Sequence, residues 1–154
     1  MRRLMEETGE TANLAVESNG EAVFLSHIES QEMMRATTRP GSRVPLHCSG
    51  VGKAILATKP ERQVARILHK HGLRRVTPNT IESPTELRAV LAETRGRGFS
   101  FDNEEHAVGV RCVAAPIFDE SGEAVAAISI VGRRRVSPTT GWPTSAPASG
   151  APRG

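Results

Sequence analysis

Two short stretches of this chain gather the residue types that do chemistry. The first is Leu46-His47-Cys48-Ser49-Gly50-Val51-Gly52-Lys53-Ala54, which brings together an imidazole, a thiol, a hydroxyl and an ammonium. Gly52-Lys53 looks like the end of a phosphate-binding loop. The match fails: His47 stands where the first glycine of that motif belongs, and Ala54 replaces the Ser or Thr that follows its lysine. A second reading makes Ser49 the cap of a helix, with the N–H groups of residues 49–51 turned toward an anion such as a carboxylate. An ordinary capped helix, with glycines for close packing, accounts for the spacing equally well.

The second stretch is Phe101-Asp102-Asn103-Glu104-Glu105-His106, followed closely by Gly109-Val110-Arg111-Cys112. It holds three carboxylates, an imidazole, a guanidinium and a thiol. His106 directly follows Glu105, so the zinc-protease spacing is absent, and no subset has convincing metal-ligand spacing. No metal and no cofactor is expected. Cys112 with His106 as its base would form a nucleophile pair. Cys112 lies in an apolar run, however, where a thiol is usually buried and inert. A third cluster, Gly132-Arg133-Arg134-Arg135, offers too few phosphate contacts for a nucleic-acid patch and reads as a solvated basic run.

The elements that must position these groups follow from periodicity and turn chemistry. Residues 1–8 read as the end of a linker helix. Glu10–Glu17 alternates Thr11, Asn13 and Ala15 against Ala12, Leu14 and Val16, a strand of period two. Asn19-Gly20 suits a tight hairpin turn, and Ala22–Glu29 is its partner strand. Met33–Thr37 is a third, shorter strand, and Thr38–Pro45 an irregular loop. Helices follow from Ser49 through Ala57 and from Pro60 to about Gly72. Ser83-Pro84-Thr85-Glu86 is a capping box opening a third helix, stopped by Gly96 and Gly98. Phe99–Asp102, Val110–Asp119 and Ala124–Val131 are strands, the last two joined by a turn at Glu120–Glu123. Hairpins dominate, so the fold class is α+β: a mostly antiparallel sheet with helices packed on it. Residues 133–154 form a Pro/Gly/Ser-rich basic tail that is expected to be disordered.

With 154 residues the chain suits one domain. The net charge is +3, but residues 133–154 contribute four arginines and no acid. Without them 16 basic residues face 17 acidic ones, a net of −1. The folded part therefore lacks the excess charge of a phosphate-tracking surface. Two separated cysteines, no apolar run of membrane-spanning length and no secretory leader point to a reduced, cytoplasmic protein without membrane contact.

The residues from Pro45 to Ala57 resemble the central motif of isocitrate-lyase-regulator (IclR) type transcription factors. So do those from Thr94 to Phe118, and Ala126-Ala127-Ile128-Ser129-Ile130 continues the resemblance, which covers about residues 4–132. It implies a GAF/PAS-like effector-binding domain for a small carboxylate metabolite, assembled as homodimers or tetramers. DNA would be reached only through a winged helix-turn-helix domain that this chain lacks. The effector positions it implies are Met33, Ala36, Ser49, Gly50, Val51, Asp102, Val110, Cys112 and Ser129. Family members that govern the glyoxylate bypass carry a second serine two residues after the equivalent of Ser129. Val131 stands there in this chain, so one anion donor for glyoxylate or pyruvate is missing. The family also ends in a long amphipathic helix where this chain has its tail, so the chain is expected to be a fragment. Three functions follow as expectations: a carboxylate sensor, a ligand-independent assembly module, and a thiol enzyme using Cys112. The resemblance favours the first and a non-enzyme.

Overall fold

The computed structural model describes residues 1–29 and 39–133. Helix α1 spans Arg2–Thr8 and strands β1 and β2 span Thr11–Ser18 and Glu21–Ile28. Next come β3, Arg43–Pro45, and helices α2, Gly50–Leu56, α3, Glu61–His71, and α4, Pro84–Arg97. Strands β4, Ser100–Asn103, β5, Val110–Phe118, and β6, Ala124–Arg133, complete the order. The six strands form one sheet in the order β3-β2-β1-β6-β5-β4, and every neighbouring pair is antiparallel. This is the expected α+β arrangement.

Local sequence explains most boundaries. Asn19 and Gly20 both take positive φ, at 53° and 79°, and turn β1 into β2. Ser49 caps α2 by accepting the N–H of Gly52 at 3.1 Å. Ser83 caps α4 by accepting the N–H of Glu86 at 3.3 Å, with Pro84 in the first turn. Two expectations need correction. Arg43–Pro45, expected to be irregular, pairs with Val23–Glu21 as the edge strand β3. Three residues are too few to show a period, and proline is tolerated on an edge. Helix α4 also runs through Gly96, and Gly98, at φ 88°, is the residue that ends it. The expected strand Met33–Thr37 and the tail beyond Arg133 lie outside the described residues.

Both sheet faces are covered. On one, Leu4 of α1 packs against Ala12, Val113, Ile128 and Ile130. On the other, α2 lies across the middle of the sheet and contributes Val51, Ala54, Ile55 and Leu56 to a core with Ala15, Cys112, Ala114, Ala127 and Val131. Helices α3 and α4 close this core from outside with Val64, Leu87 and Leu91. The Arg95 guanidinium fixes α4 to α2 by donating to the Ala57 carbonyl at 2.8 Å.

Candidate functional site

The strand register places Asp102 opposite Cys112 and Cys112 opposite Val131. One row along, Ser100 pairs with Ala114, Ala114 with Ser129, and Ser129 with Asn13. Side chains alternate along a strand, so both rows project from one face. It is the face that α2 covers, because Cys112, Ala114 and Val131 pack in the α2 core.

Helix α2 sits unusually close to this floor, and two glycines permit it. A Cβ added at Gly50 would lie 2.6 Å from the Cys112 sulfur. One added at Gly52 would overlap the backbone of Leu46. At either position a side chain would force the helix or its neighbour to shift. The Ser100 hydroxyl, itself buried, donates to the Gly50 carbonyl and ties β4 to the helix start.

The expected site residues divide. Gly50, Asp102, Cys112 and Ser129 come together between α2 and the sheet, and Val110 packs half-buried beside them. Val51 is buried in the core below. The Ser49 hydroxyl is used within the chain: it donates to the Pro45 carbonyl at 2.7 Å while capping α2. Met33 and Ala36 lie outside the described residues.

Charge is managed differently at the two ends of the floor. Near β4, Lys53 is almost fully buried and holds both oxygens of Glu105, at 2.9 and 2.8 Å, as well as the Phe101 carbonyl. Glu105 also accepts the N–H of Asn103, and its own N–H goes to Asp102 Oδ1 at 2.8 Å. Its carbonyl takes hydrogen bonds from the hydroxyls of Thr77 and Thr80. Burial pushes the Asp102 carboxyl up to about 7, against the opposing pull of the Glu105 N–H and Lys53. Burial likewise pushes the Cys112 and Cys48 thiols up to about 12, with Asp102 adding to the effect. A thiol held neutral in this way is a poor nucleophile. Burial lowers the pKa of His47, which donates from Nε2 to the Arg74 carbonyl at 2.9 Å. Burial also lowers that of His106, with His47 adding to the effect.

Toward β1 the floor is polar and unsatisfied. Ser129 and Asn13 are completely buried, yet among the described residues the Ser129 hydroxyl and both heteroatoms of the Asn13 carboxamide find no hydrogen-bond partner. Ser129 lies close enough to the Cys112 sulfur to favour its thiolate, but not in ordinary hydrogen-bond geometry. Buried polar groups are nearly always paired, so two orphaned neighbours need a reason.

Asn13 falls outside both chemical clusters of the sequence, and its one signal there is faint: asparagine is depleted in strands. Lys53 and Glu105 each lie in one of those clusters, but 52 positions separate the two partners, so spacing does not reveal the pair. A separate depression of about 500 Å³ lies between α3 and α4, bordered by Leu68, His69, Leu73, Pro84 and Arg88. None of the floor residues borders it. No group of three His, Cys, Asp or Glu among the described residues could hold a metal. No helix among them is long and apolar enough to cross a membrane.

Residues 1–141 match the family model for the C-terminal domain of the bacterial transcriptional regulator IclR. The chain is 50% identical over 134 residues to the transcriptional repressor IclR of Escherichia coli K12, covering 86% of this chain and 49% of that protein. It thus spans about half the length of that relative. Among solved structures, Thermotoga maritima IclR superposes with a TM-score of 0.84 at 37% identity, covering 90% of this chain and 56% of that one. A double mutant of the inducer-binding domain of PobR from Acinetobacter, in complex with 3-hydroxybenzoic acid, superposes with a TM-score of 0.80 at 27% identity. That superposition covers 89% of this chain and 81% of the other.

Proposed function

The chain belongs to the IclR C-terminal family of bacterial transcriptional regulators, and on that premise we propose that it senses a small carboxylate metabolite on the floor beneath α2. The observation that carries this reading is the Ser129 hydroxyl, fully buried and unpaired beside a neutral thiol. An unpaired buried hydroxyl is costly unless a ligand completes it. The PobR inducer-binding domain holds an aromatic hydroxy acid, and a carboxylate is the ligand chemistry these donors suit. Glycines at 50 and 52 bring α2 onto the same floor, so that filling it would press directly on a helix. Homodimers or tetramers carrying DNA-binding domains would convert that pressure into altered operator binding.

The test is a thermal-shift series with glyoxylate, pyruvate, acetate and several aromatic and sugar acids. A ligand at about 100 times its Kd stabilises the fold by about 2.7 kcal/mol, which raises Tm by several degrees. A selective shift with one class of acid is the expected result. A clean cooperative melt unmoved by every acid would leave an assembly role without ligand.

A further inference from the structure

Asn13 carries more information than a generic polar floor. Its side chain has one acceptor and two donor hydrogens, and no described residue uses either end although the residue is completely buried. Both ends lack a described partner whichever way the amide is turned. Ser129 lies directly across the β1–β6 ladder, at the spacing where opposite side chains on one face are neighbours. Lys53, the buried cation of this layer, is fully engaged by Glu105 and the Phe101 carbonyl. A carboxylate here must therefore be held by neutral donors, and the acceptor oxygen of Asn13 demands a donor in return. A simple acid or a 2-oxo acid has no such donor once ionised.

We propose that the ligand of this floor is a 2-hydroxy carboxylic acid, read by Asn13 as well as Ser129. Its carboxylate accepts from the Ser129 hydroxyl and from Asn13 Nδ2, and its hydroxyl donates to Asn13 Oδ1. Carboxylate and hydroxyl sit on adjacent carbons, so one small molecule reaches both strands. Val131, next along β6 on the same face, offers an apolar wall for a short alkyl substituent. An oxo group in place of the hydroxyl would set acceptor against acceptor and leave Asn13 unpaired. The inference rests on the carboxylate-sensing reading and narrows its ligand.

Calorimetric titration of the full chain with matched pairs tests it: lactate against pyruvate, and 2-hydroxybutyrate against 2-oxobutyrate. Glyoxylate is a poor comparator, because its carbonyl hydrates to a diol. The hydroxy acid should bind at least about tenfold more tightly in each pair, the scale of one completed buried hydrogen bond. Asn13→Ala should bring the two members of a pair to similar affinity, while Ser129→Ala weakens both. Should Asn13→Ala fail to fold, Asn13→Leu fills the same space, and the wild-type ratio stands as a test on its own. Equal or tighter binding of the oxo acids, or a ratio unchanged in the Asn13 variants, overturns the assignment. If only acids outside these pairs bind, the sensing reading survives and the hydroxy-acid reading falls. If no acid binds at all, both fall.

Discussion

The two ends of the floor beneath α2 contain similar amounts of buried polarity and treat it in opposite ways. Around Lys53 and Glu105, each ion is held by its partner and by a backbone group, the Phe101 carbonyl for the ammonium and the Asn103 N–H for the carboxylate. Around Asn13 and Ser129, equally buried groups find no partner among the described residues. A saturated network specifies a fold, because it can be satisfied in one arrangement only. An unsaturated one costs stability and is retained where something outside the chain completes it. On the proposed function, the contrast separates a structural staple from a recognition surface within one layer.

Breaking the staple should have the largest effect. Glu105→Ala leaves the Lys53 ammonium buried without its counter-ion, and stability should fall by about 3–5 kcal/mol. Thermal unfolding followed by circular dichroism would register this as a drop of roughly ten degrees. A change within a degree would mean that Lys53 escapes to water and that the pair is not a staple.

Asp102, at the border of the two regions, sharpens the comparison through pH. Its folded pKa of about 7 lies above the ordinary carboxyl value of 3.8. Between those values the folded state holds a proton that the unfolded state has lost. Its contribution is therefore fully present below about pH 4 and is lost as pH rises through about 7, on the order of a few kcal/mol. Asp102→Asn keeps an acceptor for the Glu105 N–H and cannot ionise. The difference in denaturant midpoint between Asp102→Asn and the wild type should therefore grow, in favour of the variant, from pH 4 to pH 7. A difference that is flat over that window would place Asp102 in contact with water.

The smallest stability effect belongs to the recognition end, and there its sign matters. Ser129→Ala removes an unpaired hydroxyl and should leave stability within about 1 kcal/mol of the wild type, or slightly above it. Paired melts and titrations would show a stable protein with weakened acid binding. A loss as large as that of Glu105→Ala would show that Ser129 belongs to the staple.

Legibility in the sequence followed the range of the interaction. The Ser49 and Ser83 caps, the Asn19-Gly20 turn and the hairpins of β1–β2 and β5–β6 depend on neighbours within a few residues, and each was readable from spacing. The resemblance implies Gly50, Asp102, Cys112 and Ser129 as effector positions; the register puts the last three on one sheet face, and Gly50 of α2 lies against Cys112. The alternation of β1 is visible in its sequence, but not that its polar side is interior. In fact Thr11, Asn13 and Ala15 form its most buried face, because α2 covers the sheet there. Alternation tells which residues share a face and not which face is roofed.

The sequence by itself determined the class of the fold, the family and most element ends, since caps, turns and periods are local physics. Only the tertiary structure decided which polar residues are partnered. Lys53 finds Glu105, and Asn13 meets Ser129 without bonding it, through segments that are distant in the chain. Whether a buried polar group is a strut or a receptor depends on atoms within about 3.5 Å, and those neighbours exist only once the sheet and α2 have closed on each other.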